Sequence, residues 1–148
     1  MAKTYLILRM ELPANLIGNV VERGQILHSD IFSGIDHPKF FVIIGISDEE
    51  VAGFFYINSR INMSVNKKQE QLDMQYPLST TDYAFLDHNS FICATNVLTI
   101  NKRQIVQSIL DKHTKVIGSI KGEHINELLC KLRESRLFSN YIKRKYFY

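Results

Sequence analysis

The 148-residue chain lacks the short motifs that identify several large enzyme classes. It has no glycine-rich phosphate-binding loop, no CxxC pair, no HExxH and no GxSxG. Three of its histidines, His88, His113 and His124, lie far apart in sequence, and isolated histidines of this kind are more often surface residues than ligands. The sequence therefore predicts no metal site and no cofactor.

Cysteine and long apolar runs are also scarce. Cys93 and Cys130 lie in apolar contexts without metal-ligand spacing, which favours buried free thiols, and the flanking FICAT argues against Cys93 as a nucleophile. No apolar window reaches the roughly 18 residues of a membrane span. The N-terminal MAKTYLILRMELP contains no small-residue cleavage site. We therefore expect a cytoplasmic protein without membrane partners.

The composition is that of one globular domain, with 45% hydrophobic and 22% charged residues. Charge is distributed unevenly along it. Residues 1–100 contain 7 Lys and Arg against 11 Asp and Glu, whereas residues 101–148 contain 11 against 4. A basic C-terminal third suits a polyanionic partner, and a solvated helix face is the alternative.

The basic, aromatic tail, residues 139–148, allows two interpretations. Basic residues beside aromatic residues can hold phosphates and stack bases, which predicts RNA binding by Lys143, Arg144 and Lys145. Equally, Tyr141, Ile142 and the last aromatic residues could dock the terminus onto the body of the protein. The sequence leaves both interpretations open.

The first half of the chain reads mainly as strands. Residues 4–12 form a predicted strand or an apolar N-terminal arm within an extension of about 1–21, and residues 13–24 a short helix or turn. Further strands are predicted at 24–32, 39–46 and 51–58, with turns at 33–38 and 47–50.

In the second half the hydrophobic period changes. A polar loop is predicted at 60–75 and a strand-like run at 90–100, followed by helical spacing at 101–110. The segment 115–138 predicts a short strand, a turn at Gly122 and a helix with Ile125, Leu128, Leu129 and Leu132 on one face. Successive strands without regular helices between them indicate a mainly β, α+β domain, built as a small antiparallel barrel or curved sheet.

Polar residues at strand ends are the candidate site. His37 and Lys39 begin one predicted strand, and Asn58, Ser59 and Arg60 end the next. If these strands pair as a hairpin, the two groups lie side by side. A cation, an imidazole and a hydroxyl in one cluster can bind a phosphodiester and move protons on it. Strand ends are also routinely polar, and Ser59 and Arg60 would face opposite ways unless the strand bends there.

The order of sequence blocks resembles the MazF/PemK/Kid-like toxin family, the ribonucleases of toxin–antitoxin systems. RGQILHSDIF is similar to the opening strand of that family, and GIDHPKFFVIIG to its loop and aliphatic strand. FFYINSRIN resembles the strand ending in Ile-Thr-Ser, and SFICATNVLTINKRQI a late strand leading to a short helix. KVIGSIKGEHINELLCKLRESRLF is similar to the closing strand and C-terminal helix, so that the resemblance covers roughly residues 22–138.

This resemblance implies an SH3-like β-barrel of the PemK-like type, with a short helix after the late strand and a C-terminal helix. It implies a homodimer that cleaves single-stranded RNA without a metal and binds an antitoxin, either a protein or an RNA. Ser59 and Arg60 match the family's polar strand end, with His37 and Lys39 as acid–base or electrostatic partners. Asn58, Thr95 and Asn96 are the further predicted RNA contacts.

The sequence also departs from the family pattern. HPKF replaces the family's Arg-Pro with the order reversed, and Asn58 replaces its usual Thr. Cys93 and Thr95 stand where some members have Arg and Asp. A non-catalytic barrel that binds RNA or a protein is therefore the alternative function, and a structural protein that docks through its tail is a third.

Overall fold

A computed structural model describes residues 21–32 and 37–148. The predicted elements at 4–12 and most of 13–24 lie outside these residues, as does most of the turn predicted at 33–38. The strands are β1 (Gln25–Ser29), β2 (Lys39–Ile46), β3 (Val51–Asn58), β4 (Gln75–Leu78), β5 (Ser90–Cys93), β6 (Leu98–Asn101) and β7 (Thr114–Ser119). The helices are α1 (Gln69–Asp73), α2 (Lys102–Leu110), α3 (Gly122–Glu134) and α4 (Asn140–Tyr146).

The seven strands described form one sheet, in which six follow the order β4-β5-β3-β2-β1-β7 and β6 pairs with β3 beside this path; all pairs are antiparallel. β3 is central: it pairs with β2 along one edge, and its other edge is shared by β6 and β5. Among the described residues no ladder joins the outer strands β4 and β7. The predicted mainly β, α+β class is confirmed.

Both faces of the sheet are covered, which explains why β2 and β3 are apolar along nearly their whole length. Val42 and Phe55 lie in one core cluster with leucines of α3. Phe41 and Phe54 lie in a second cluster on the opposite face, with Ile105 of α2. Below, the first is called the α3 face and the second the α2 face. Successive side chains of β2 and β3 therefore point alternately into two apolar clusters, instead of alternating between an apolar core and water.

Several sequence-based expectations are wrong in detail. The predicted loop at 60–75 contains α1, a single turn whose start is fixed by a hydrogen bond of 3.1 Å from the Lys68 amide to Gln71 Oε1, and it is too short to show a period. The run 90–100 is two strands, since β5 pairs with the end of β3 and β6 with its beginning. Gly122 begins α3 instead of forming a turn. Both thiols are free, but Cys130 is exposed on α3 and Cys93 is only partly covered.

The tail docks onto the body of the protein through two of its aromatic residues, as one of the two interpretations expected, whereas Tyr141 and Tyr148 are exposed. Tyr146 and Phe147 are buried in the cluster on the α3 face. The main-chain oxygen of Phe147 accepts a 2.7 Å hydrogen bond from Arg133 Nε. Arg23 links the tail to the sheet, because it donates to the main-chain oxygens of Tyr146 at 3.1 Å and of Ile44 at 2.8 Å.

A pair of glycines makes room for this docking. Gly45 and Gly53 face each other across the β2–β3 ladder, just after an irregularity at Ile44. A Cβ on Gly45 would overlap the main-chain carbonyl of Tyr146, and a Cβ on Gly53 would lie 2.7 Å from its ring. The two glycines therefore form a slot that only a chain without side chains at these positions can provide.

In the part of the chain that the structure describes, no helix combines the length and the apolar character that crossing a membrane requires.

We predict that Gly45→Ala destabilises the protein by about 1–3 kcal/mol, because the added methyl group meets backbone that cannot move aside like a flexible side chain. Urea unfolding followed by circular dichroism measures this. Gly118→Ala is the matched control, since nothing lies within 4 Å of its added Cβ. Equal unfolding midpoints for the two variants would contradict the slot.

We also predict that Phe147→Ala lowers the free energy of unfolding by about 3–5 kcal/mol, the usual cost of truncating a buried phenylalanine. The Phe147 residue is 0% exposed, whereas Tyr141 in the same tail is 60% exposed. Tyr141→Ala should therefore cost about 0.5 kcal/mol or less. A small effect of Phe147→Ala would show that the tail is dispensable for folding.

Candidate functional site

A cavity of about 470 Å³ opens at the end of the β2–β3 hairpin where β2 begins and β3 ends. It is bounded by the start of β2, the end of β3 and the segment before β5. The residues lining it are His37, Pro38, Lys39, Phe40, Ile57, Asn58, Ser59, Arg60, Asn62, Leu86, Asp87, His88 and Ser90. All five residues of the predicted strand-end cluster are among them.

The hairpin register explains this assembly. Phe40 pairs with Ile57, so Lys39 lies opposite Asn58 on the α2 face of the sheet. The Lys39 Nζ donates a 2.6 Å hydrogen bond to Asn58 Oδ1. The sequence-based prediction that the two strands pair and bring these polar ends together is confirmed.

Ser59 and Arg60 are not restricted to opposite faces. β3 ends at Asn58, and the chain bends at the next two residues. Both residues are exposed and both line the cavity. Because the regular strand ends at Asn58, the alternation that would send the side chains of Ser59 and Arg60 to opposite faces does not apply to them.

Lys39 is the most desolvated cation of the cavity. It is partly buried, and its Nζ lies 5.3 Å from the centroid of the Tyr56 ring. Burial lowers the pKa of Lys39 below its ordinary value of 10.5, and Cys93 on the neighbouring strand opposes this with a smaller effect. The hydrogen bond to Asn58 fixes the position of the Lys39 amine, and burial makes the charged form of that amine less favourable than in water.

The third wall comes from residues 79–89, which connect β4 to β5 and carry Leu86, Asp87 and His88. This segment is tied to α3 through Tyr83. Its hydroxyl oxygen lies 2.6 Å from His124 Nδ1 and accepts a 3.1 Å hydrogen bond from the Lys121 amide. Burial raises the pKa of Tyr83.

An ion pair on the surface adds to this attachment. Lys121 Nζ lies 3.1 Å from Asp82 Oδ1, within the same connecting segment. At the other end of the segment, Ser90 Oγ donates a 2.8 Å hydrogen bond to the main-chain oxygen of His88. The wall that carries His88 is therefore anchored on both sides of that residue.

Sequence reasoning missed His88 and Asp87. His88 is exposed, as predicted for a surface histidine, yet it lines the cavity. It arrives there because β5 pairs with the end of β3, with Phe91 opposite Asn58. No local pattern in the sequence indicates that pairing. The available signal was a histidine two residues before a strand-like run.

Other predicted RNA contacts lie elsewhere. Thr95 and Asn96 occupy the segment between β5 and β6 and do not line the cavity. The Thr95 hydroxyl lies 3.6 Å from Cys93 Sγ.

The basic tail residues are at the opposite end of the hairpin. Arg144 and Lys145 flank the β2–β3 turn, where Lys145 Nζ lies 3.8 Å from Glu49 Oε2. Since β2 contains eight residues, the tail cations and the cavity are separated by roughly 20–25 Å. Lys143, Arg144 and Lys145 therefore cannot share a phosphate with Arg60.

The cavity combines groups for anion binding with groups for proton transfer. Lys39 and Arg60 supply positive charge, with Asp87 as the opposing carboxylate. His37 and His88 supply two imidazoles, side chains that can accept or donate a proton. Among the described residues, no cluster of three or more His, Cys, Asp and Glu side chains could hold a metal ion.

In comparisons with known proteins, no family model matches the chain, and no curated protein matches it.

Proposed function

We propose that the protein is an endoribonuclease that cleaves single-stranded RNA without a metal ion. The observation that carries this proposal is the hairpin-end cavity, where Lys39, Arg60, Ser59 and two histidines surround one space. RNA cleavage of this kind transfers the phosphodiester to the neighbouring ribose hydroxyl. Imidazoles can move the protons in that reaction, and nearby cations can stabilise the charge that develops on the phosphate.

In the proposed reaction the ribose 2′-oxygen attacks the adjacent phosphorus. One histidine takes the proton of the 2′-hydroxyl, and the other gives a proton to the departing 5′-oxygen as the P–O5′ bond breaks. The products are a 2′,3′-cyclic phosphate and a free 5′-hydroxyl. The step consumes no oxidant, reductant or added water. One proton is taken up and one is given back, so His37 and His88 can carry it out as an acid–base pair.

The charged groups would stabilise the transition state. Negative charge grows on the non-bridging phosphate oxygens during attack, and Arg60 can bind two of them through its planar guanidinium. Lys39, held in place by Asn58, adds a second cation from a partly desolvated position. Ser59 at the bend can donate a hydrogen bond to the same phosphate.

We further propose that the sheet is a PemK-like form of the SH3-like barrel, that the protein acts as a homodimer, and that an antitoxin, protein or RNA, binds it. The order of sequence blocks supports this proposal. So does the sheet, in which β3 pairs with β2, β5 and β6 together. An antitoxin that covers the cavity would block it most directly.

Arg60→Ala and His88→Ala should each slow cleavage of mixed-sequence single-stranded RNA by about 100-fold or more, because each removes a group that acts on the reacting phosphate. Ser59→Ala should reduce the rate in the same assay. The measurement is cleavage in EDTA, with the 2′,3′-cyclic phosphate end identified by mass spectrometry.

Arg103→Ala is the matched control for Arg60→Ala, because Arg103 is an exposed cation on α2 at the other end of β3. It should cleave like the wild type. A folded wild type that binds RNA without cutting it would remove the enzyme and leave the alternative, a non-catalytic RNA-binding domain. Cutting that Arg60→Ala and His88→Ala leave intact would place the reaction elsewhere.

Binding of phosphates should weaken at alkaline pH. Burial lowers the pKa of Lys39, so its positive charge is lost at a lower pH than that of an ordinary lysine. Affinity for an abasic oligonucleotide, measured from neutral pH to about pH 10, should fall as that charge disappears. Lys39→Arg should move the fall to higher pH, because arginine stays charged. Identical profiles for both proteins would exclude Lys39 as the titrating group.

A further inference from the structure

A row of side chains crosses the α3 face of the sheet beside the cavity. Lys115 of β7 pairs with His28 of β1, and His28 pairs with Phe40 of β2. Phe40 in turn pairs with Ile57, and both of these residues line the cavity. The row Lys115–His28–Phe40 therefore leads directly out of the candidate site toward the edge of the sheet.

Exposure increases along this row. Ile57 is buried, Phe40 and His28 are partly exposed, and Lys115 is exposed. Elsewhere this face is covered by the cluster that includes Leu128 and Leu132 of α3 together with Tyr146 and Phe147 of the tail. The row is thus the part of the α3 face that continues beyond this cover.

The two rings of the row are arranged as a platform. The centroids of His28 and Phe40 are 4.3 Å apart, with the ring planes inclined by 36°. Phe85, from the segment that also carries His88, packs against Phe40 with the ring centroids 5.0 Å apart and the planes inclined by 52°. Rings that are already held in place by neighbouring rings lose little conformational freedom when a flat group stacks on their open face.

We infer that the row Lys115–His28–Phe40 is a nucleobase subsite, in which one unpaired base of the RNA stacks on the rings and the adjoining phosphate lies at Lys115. This inference rests on the proposed function, because it assigns a neighbouring nucleotide of the same strand. Strand spacing places Lys115 about 10 Å from Phe40, two strands along the sheet.

The chemistry of the row fits an unpaired base rather than a duplex. A base that is paired and stacked in a helix cannot lay its face on a protein ring, whereas single strands expose that face. Burial and the neighbouring Lys115 lower the pKa of His28, while Asp30 opposes this more weakly. The lowered pKa favours the neutral form of the His28 ring, and the positive charge for the phosphate comes from Lys115.

The test compares two oligonucleotides that cannot be cleaved because their 2′-oxygens are methylated: one with bases and one abasic with the same phosphates. Affinities are measured by fluorescence anisotropy. His28→Leu, which fills the space without a flat ring, should weaken binding of the base-bearing strand by about 5- to 100-fold and leave the abasic strand unaffected. His28→Phe, which restores a ring, should bind both like the wild type.

Lys115→Ala should weaken both oligonucleotides by a similar factor and reduce the salt dependence of binding by about one ion, as expected for a phosphate contact. Arg103→Ala is the control cation and should change neither affinity. Because His28 is partly buried, the unfolding midpoint of every variant is compared with that of the wild type, and His28→Phe reports on the site even where His28→Leu proves unstable.

The outcomes separate the two proposals. Equal affinities of wild type and His28→Leu for the base-bearing strand, with Arg60→Ala still impaired, would overturn the base subsite alone. Loss of affinity in His28→Phe equal to that in His28→Leu would show that the imidazole itself, and not a stacking ring, is needed. A wild type that binds neither strand would overturn both the subsite and the proposed function.

Discussion

The antiparallel register of β2 and β3 is the constraint on which the rest of the structure depends. At one end of this hairpin the register places Lys39 opposite Asn58, so that the amine and the amide are hydrogen-bonded to each other in the wall of the cavity. At the other end it places Gly45 opposite Gly53 and so opens the slot that Tyr146 fills. A shift of one residue would turn every side chain of β3 to the other face and lose both arrangements.

A register irregularity at Ile44 lies between these two ends of the hairpin. It shifts the register between Ile43 and Gly45, and the carbonyl of Ile44 is satisfied by the Arg23 side chain. The same guanidinium binds the main-chain oxygens of Tyr146 and Tyr148, so the tail and the bulged strand share one donor. The basic tail is therefore first a structural element, and its cations lie at the far end of the hairpin from the candidate site.

Much of the site followed from local sequence. Two apolar runs separated by a four-residue turn, SDEE, indicate a hairpin, and a hairpin brings the start of one run beside the end of the other. This reasoning gathered His37, Lys39 and the Asn58–Arg60 cluster correctly. It did not find His88, because that residue reaches the cavity through the pairing of β5 with β3, and residues 60–89 separate those strands without a period that reveals it.

The sequence by itself determined the elements whose partners are close in the chain: the hairpin, α2, the apolar face of α3 and the class of the fold. The tertiary structure alone decided the division of 90–100 into two strands, the docking of Tyr146 and Phe147, and the row of rings beside the cavity. The physical reason is the range of the interactions. Alternation and turn chemistry act between near neighbours, whereas contacts such as that of Arg23 with Tyr146 join residues 123 positions apart, and only the folded chain selects them.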